Sequence, residues 1–450
     1  MAKLWAKGYE LDKTVERFTV GDDYLLDMDL VRWDCVGSIA HAAMLAKIGV
    51  LTQAEYASLR KRLSELVTLH EQGKFVVARE QEDVHTAVEN DLTEKLGEVG
   101  KKLHTARSRN DQVILDLRLY MRDKLLLAAD MTADLIATLL EFAEKYKEVP
   151  LVGRTHYQRA MPSSAGLWAG AMAEALLDDL ELIRAAYKIA DQCPLGSAAS
   201  YGVNLDIDRQ MVSDLMGFAR VQNNVLYANN SRGKVEGIIL GALSQVMLDL
   251  SKLASDVIFC SMPEIGYFKL PQDLCGGSSL MPQKRNPALF ELTRAKCATV
   301  QACLVQVNEI VRPLISGYHR DFQETKRPLM TGVETTLAAL QVCALGVSKL
   351  TCDEPRCIAA FSADVFATDR VLEMVKQGVP FRDAYKQVAA SLDSTPMEDP
   401  VENIRKKKHL GATGNLGLDL DRKRLAQERA WSKSARAVWT AALAKLTATE

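Results

Sequence analysis

From Asp111 to Glu148 the chain runs without a glycine or a proline, and leucines recur along it at helical spacing. At 1.5 Å per residue such a helix is about 55 Å long, more than the diameter of a small domain. Four further long apolar patterns follow, at Ser163–Gln192, Lys234–Met262, Pro287–Arg312 and Pro328–Leu350, each bounded by proline or glycine signals. Five long helices with apolar faces, joined by irregular polar loops, predict a bundle. Helices of that length often bury their far ends against other subunits.

The flanks are built from shorter units. Residues 1–110 read as helix and loop, with helices at Asp34–Ile48 and Thr52–Gln72; Thr52 and Glu55 make a capping box, and Gly49 and Gly73 end the two helices. Another helix follows Glu82-Asp83-Val84-His85-Thr86. Residues 111–355 form the bundle. Residues 356–450 return to short helices at Ala359–Lys376 and Arg382–Leu392, then a glycine-rich loop, Gly411–Gly417, and an amphipathic helix from about Asp421. Strand signals are weak throughout, so the expected fold class is all-α: a central five-helix bundle between two smaller, mainly helical domains.

Composition limits the function classes. Hydrophobic residues make up 48%, enough for a large core. A net charge of −2 leaves no general nucleic-acid footprint, and the short basic run Arg405–His409 reads as a solvated face. No 18-residue apolar run and no signal-like N-terminal segment are seen, which makes a cytoplasmic protein without membrane contact the expectation. The nine cysteines include no Cys-x-x-Cys pair and read as reduced core thiols. The seven histidines show no His-x-x-x-His spacing, so no metal site is expected.

Four polar clusters interrupt the helical patterns. In the stretch from Gly276 to Pro287, two glycines give a mobile start, Asn286 is a natural N-cap and Pro287 fits the first helical position. The loop carries Ser278, Ser279, Lys284 and Asn286 towards the positive end of a helix, a place to bind a carboxylate and stabilise charge developing on it. An ordinary capped surface loop fits the same composition. Thr105–Asp111 holds Arg107, Ser108, Arg109 and Asn110 before a long helix, and helix capping with solvated arginines explains it equally. Gly153–Pro162 contains Thr155 and His156; a histidine there is either a general acid or base or a hydrogen-bonded structural group. Ser316–Lys326 sets Tyr318, Gln323 and Lys326 between two helices, with simple solvent exposure as the alternative.

Taken together, these clusters carry a resemblance. Gly277-Ser278-Ser279-Leu280-Met281-Pro282-Gln283-Lys284-Arg285-Asn286 resembles the signature loop of the fumarase/aspartase superfamily, whose lyases release fumarate. The Thr105–Gln112, Gly153–Pro162 and Tyr318–Lys326 clusters are similar to motifs of its argininosuccinate lyase and delta-crystallin branch, as are Lys3-Leu4-Trp5 and Glu82–Ala87. The departures are Ala106 for a glycine, Arg154 and Tyr157 around Thr155-His156, Gly233 after Arg232, Tyr385 for a histidine, and Thr19-Val20-Gly21-Asp22-Asp23, which lacks a serine that helps hold the amino-acid end of the substrate.

The resemblance implies reversible cleavage of argininosuccinate to arginine and fumarate. It implies that Ser278 removes the proton, that His156 oriented by Glu291 is the other acid/base group, and that Lys284 stabilises charge. Substrate contacts implied are Ser108, Arg109, Asn110, Thr155, Asn286, Tyr318, Gln323 and Lys326. Gln323 and Lys326, three apart, share one side of a helical turn. No cofactor or metal is implied, since the elimination is redox-neutral. The 272–286 loop is expected to act as a lid. The superfamily builds a twenty-helix core from four chains, with active sites shared between subunits, so a homotetramer is expected. A sister lyase acting on another N-substituted aspartate, and a crystallin-like structural protein, are the alternatives.

Overall fold

A computed structural model of the chain describes residues 12–392 and 396–448; the Lys3-Leu4-Trp5 match lies outside them. The N-terminal unit packs α1 (Val31–Lys47) on α2 (Gln53–Glu71) beside α3 (Val84–Leu96). The α2 capping box forms as its sequence dictates: Glu55 N–H donates to Thr52 Oγ1 at 3.2 Å, and Thr52 N–H to the Glu55 carboxylate at 2.8 Å. A cap of this kind stabilises a helix by about 1 kcal/mol.

The bundle consists of α4 (Arg109–Lys145), α5 (Ala165–Ala190), α6 (Lys234–Ser261), α7 (Ala288–Val311) and α8 (Lys326–Ser348). Each lies close to the expected span. Helix α4 starts two residues before Asp111 because Ser108 caps it: its Oγ accepts Asn110 N–H at 3.2 Å, and Asp111 accepts Ser108 N–H at 2.9 Å. Two short antiparallel strands, β1 (Pro150–Thr155) and β2 (Gln158–Ser164), lie between α4 and α5. The hairpin claims Ser163 and Ser164, which the sequence pattern had placed in the helix. Its polar, proline-containing second strand gives no alternating signal.

Successive bundle helices run in opposite directions, so the molecule has two ends. At the near end, beside the N-terminal unit, the Asp111 carboxylate accepts the N–H groups of Gly196 (3.1 Å) and Ala198 (2.8 Å), which fixes the exit of α5 at the entrance of α4. Arg118 on α4 donates to Ser231 Oγ at 2.8 Å just before α6 begins. Gly233 (φ +75°) packs so tightly on Val311, the last residue of α7, that a Cβ would lie 2.1 Å from its Cγ1. Lys326, the first residue of α8, is paired with Asp27. At the far end lie the hairpin and the 262–287 loop. There Phe259 of α6 approaches Tyr157 (ring centroids 6.2 Å apart), and Gly346 of α8 packs on Phe290 of α7. The length of α4, about 55 Å, separates the two ends.

Beyond the bundle, the expected helix Ala359–Lys376 is divided into Glu354–Ala359, a 3-10 turn at Ala363–Phe366 and Ala367–Lys376. The break comes where Phe361 and Phe366 turn inward to stack in a small core with Val152 and Val365. A final helix, α9 (Leu418–Thr447), runs back along α4 and α5 to the near end. It is held by Arg429 on Asp134 (2.7 Å), Ser432 and Arg436 on Asp130 (both 2.6 Å) and Trp439 against Trp33 (centroids 5.6 Å apart). One continuous apolar core links the N-terminal unit, the bundle and α9.

Contrary to the expectation of no 18-residue apolar run, the spans Lys234–Ser261 and Arg320–Ser348 are long and apolar enough to cross a membrane, a property masked by charges scattered along them, such as Glu236 and Asp249. In the folded chain 61% and 56% of those windows is buried inside the protein, as in core helices. All nine cysteines are free, and Cys35, Cys193, Cys297, Cys303, Cys343 and Cys357 are buried.

Candidate active site

The site residues divide between the two ends. At the near end, Arg109, Asn110, Tyr318, Gln323 and Lys326 line one cavity of about 500 Å³, together with Asp23, Asp27, Glu82, Asp83 and Arg320. Ser108 stands just before Arg109 and caps α4. The loop that leads into it crosses Ala106 at φ +63°, the left-handed region that glycine adopts without a Cβ clash. His41 Nε2 lies 2.9 Å from Thr105 O, and Arg107 donates to Ser38 Oγ at 2.8 Å, so α1 pins this loop from below.

The cations Arg109 and Lys326 of the cavity are ion-paired. Arg109 donates to Asp83 at 3.1 Å, while Asp83 also caps α3 through Thr86 N–H. Gln323 and Arg320 donate to Thr19 O at 3.0 and 2.7 Å. Lys326 is buried between Asp27 (2.5 Å) and Asp23 (3.0 Å), and these carboxylates raise its pKa despite burial. Asp27 also accepts Val84 N–H at 3.0 Å. Gln323 lies in a 3-10 turn (Arg320–Thr325) and Lys326 opens α8, yet both face the cavity as their spacing predicts.

Behind the cavity His85 sits between two buried carboxylates. Its Nδ1 is 2.8 Å from Asp34 and 3.7 Å from Asp116. Burial opposes its charge, but Asp34, Asp83 and Asp116 outweigh that and raise its pKa to about 9. Asp116 is pushed well above the carboxylate range by burial and by Asp34. These side chains approach one another as metal ligands do, within 4.8 Å. The Nδ1···Asp34 contact and the raised pKa are those of a protonated imidazole that already supplies the cluster's positive charge. Sequence spacing gave no sign of it, since the three groups come from three helices.

At the far end, His156 and Tyr157 are the two central residues of the β1–β2 turn, at φ +52° and +63°. This left-handed pair is the conformation of a tight hairpin turn, usually left to asparagine and glycine. Thr155 closes the turn opposite Gln158. Arg154 donates to Tyr157 O at 3.0 Å and lies 5.5 Å from the Phe259 ring centroid. His156 is exposed.

The 272–286 loop is tied at its base by backbone bonds between Gly276 and Asn286 (2.8 and 2.9 Å), reinforced by Asn286 Nδ2 donating to Gly277 O at 3.2 Å. This corrects one expectation. Pro287, not Asn286, occupies the N-cap position, and the helix starts at Ala288, because pairing with Gly276 holds Asn286 in the loop. Within the loop the N–H groups of Leu280 and Met281 donate to Ser278 Oγ at 3.3 and 3.0 Å. Lys284 is exposed, and Glu291 is exposed in the first turn of α7. Among the described residues no hydrogen bond joins His156 to Glu291 or Ser278.

The sequence matches a family described as a lyase over residues 9–302. The argininosuccinate lyase of Thermotoga neapolitana is 46% identical over 86% of this chain and 97% of its own. That of Sorangium cellulosum is 44% identical over 93% of this chain and 97% of its own. Among solved structures, EDDS lyase in complex with formate superposes with a TM-score of 0.81 at 21% identity, covering 98% of this chain and 96% of its own. Class II fumarase from Schistosoma mansoni gives 0.71 at 15%, covering 86% and 94%.

Proposed function

The chain belongs to the argininosuccinate lyase family and is a carbon–nitrogen lyase, and from this premise we propose how its residues divide the work of converting argininosuccinate to arginine and fumarate, a step of arginine biosynthesis. The chemical difficulty is a carbon acid. A proton leaves the carbon beside a carboxylate, that carboxylate takes up the resulting charge, and the C–N bond then breaks with proton delivery to the guanidino nitrogen.

Ser278 is the base. A serine hydroxyl at its ordinary pKa is feeble, and it needs its oxyanion stabilised. The observation that carries this reading is the pair of N–H groups, of Leu280 and Met281, already directed at Ser278 Oγ. Lys284, on the same loop, adds charge stabilisation for the doubly charged carboxylate, where transition-state binding has to be concentrated. His156, with Glu291, handles the second proton. Thr155 and Asn286 hold the succinyl half. Ser108, Arg109, Asn110, Tyr318, Gln323 and the Lys326 cluster hold the arginine half. The chemistry is redox-neutral and calls for no cofactor.

The active enzyme is a cytoplasmic homotetramer whose sites combine segments from different subunits. Two observations support this. The serine and histidine lie at one end of the bundle and the near-end cavity at the other, about 55 Å away. Helix α7 buries a single stripe, Phe290, Thr293, Cys297, Val300, Cys303 and Val307, while Leu292 and Val305 on its other side are 59% and 60% exposed. Such an uncovered apolar face marks an association surface.

The test is fumarate absorbance with argininosuccinate as substrate. Turnover abolished by Ser278→Ala supports the assignment; no turnover of argininosuccinate beside turnover of another N-substituted aspartate overturns it.

A further inference from the structure

Arg154 and Arg159 are paired across the β1–β2 hairpin, one on each strand, and the turn that carries His156 lies between them. Like charges on directly opposed strand residues repel, and here the two guanidinium groups are anchored apart. Arg154 turns to the Tyr157 carbonyl oxygen and the Phe259 ring of α6. Arg159 reaches beyond the bundle, where its Nη1 donates to Ser362 Oγ at 2.7 Å. The Ser362 hydroxyl in turn donates to the Asp364 carboxylate, so it is held between a cation and an anion.

The segment that supplies Ser362 is well seated. Ser362 leads into the 3-10 turn Ala363–Phe366, whose Val365 and Phe366 are buried with Phe361 and with Val152 of β1. Nearby, Lys407 Nζ donates to Pro162 O on β2 at 3.1 Å. The hairpin tip has little packing of its own. Residues Thr155–Arg159 are exposed, and His156 and Tyr157 hold positive φ. Side-chain ties therefore steady it from two sides, one to the bundle and one to the C-terminal unit.

We infer that Arg159 is a positioning residue for His156: through Ser362 and Asp364 it ties the hairpin tip to the C-terminal unit and so sets where the imidazole meets the substrate. The inference rests on the assignment of the second proton to His156 and extends it to the residues that aim it. Arg159 touches no reacting atom in this role, and its loss leaves the substrate contacts in place. A group misplaced by about 1 Å can cost on the order of 100-fold in rate. Binding made elsewhere on the substrate is then retained, so the loss falls on kcat.

The experiment is steady-state kinetics with argininosuccinate. Arg159→Ala should lower kcat roughly 10- to 100-fold with KM changed less than about threefold. Arg159→Lys, whose ammonium can still donate to the Ser362 hydroxyl, should recover part of that loss. Ser362→Ala/Asp364→Ala removes the anchor and should itself lower kcat with KM little changed, which keeps the test open should Arg159→Ala fail to fold. Adding Arg159→Ala to that background should cost less than about twofold more. Native kcat in folded Arg159→Ala or in Ser362→Ala/Asp364→Ala, or a raised KM alone, overturns the inference. So does a full Arg159→Ala penalty in the background without the anchor, which would put the guanidinium on the substrate itself. Each of these results leaves the assignment of His156 standing while His156→Ala is inactive; native turnover in His156→Ala overturns both.

Discussion

Arg154 donates to the carbonyl oxygen of Tyr157 across 3.0 Å and so braces the turn that carries His156. The Phe259 ring backs both residues, at 5.5 Å from the Arg154 guanidinium and 6.2 Å from the Tyr157 ring. Two non-glycine residues at positive φ need such a brace, since each costs roughly 1 kcal/mol or more in that region. Arg154→Ala should lower kcat about tenfold while KM changes little, the pattern of a misplaced acid/base group. Arg154→Lys should restore part of the loss. Steady-state kinetics on both variants checks this, and a raised KM with unchanged kcat would contradict it.

Ala106 sits at φ +63° beside the substrate-binding start of α4. A Cβ in that conformation costs about 1–2 kcal/mol. Glycine there releases that strain but gives back about 0.4–1 kcal/mol through its freer unfolded chain. Ala106→Gly should therefore be net stabilising by up to about 1.5 kcal/mol, read as a higher denaturant midpoint at constant slope. A lower midpoint would show that the methyl group packs more favourably than the strain costs.

The His85 cluster predicts a pH dependence. His85 faces Asp34 and Asp116 with Gln112 beside them and Asp83 from its own helix, and its folded pKa is about 9 against 6.5 unperturbed. A raised histidine pKa contributes stability that is full below about pH 6.5 and lost as pH rises through 9. The gap amounts to something on the order of 3 kcal/mol. Chemical denaturation between pH 6 and 9.5 should show the native protein losing stability over that window and His85→Gln, less stable throughout, losing markedly less. Parallel curves would exclude a charged His85.

Lys284→Met should reduce turnover far more than substrate affinity. Lys284 is exposed on the loop and makes no ion pair among the described residues. Its charge is most useful when the carboxylate carries extra negative charge, which happens only in the transition state. Unchanged kcat with a raised KM would assign Lys284 to binding alone.

Subunit mixing tests the shared site. Ser278→Ala and His156→Ala chains, each inactive, are unfolded and refolded together. A site works when its serine loop comes from the His156 variant and its histidine turn from the Ser278 variant. With random assembly about one site in four regains activity, provided the symmetry is closed. A mixed tetramer as inactive as its parents would place both groups in one chain.

The five bundle helices were legible because their length and apolar period leave little choice of element, and glycine or proline marks their ends. The four polar clusters were legible as motifs. What stayed hidden was pairing between distant residues. Asp23 and Lys326 are 303 positions apart, and only the fold shows that the lysine's charge is already consumed. The β1–β2 hairpin escaped notice because its turn uses His156 and Tyr157 where the common signal is asparagine–glycine. Asn286 read as a helix cap because its type favours that position; its cross-loop bonds to Gly276 and Gly277, ten and nine residues back, won instead.

Helix α9 sets an order on synthesis. Trp439 covers Trp33, and Arg60 donates to the carbonyl oxygens of Leu446 and Lys445 at 3.0 and 3.2 Å. The N-terminal unit therefore leaves the ribosome with part of its apolar face open, and the helix that closes it is made after every element it covers. Until then Trp33 lacks the ring that covers it in the folded chain. For this protein, a unit translated early is among the last to be finished.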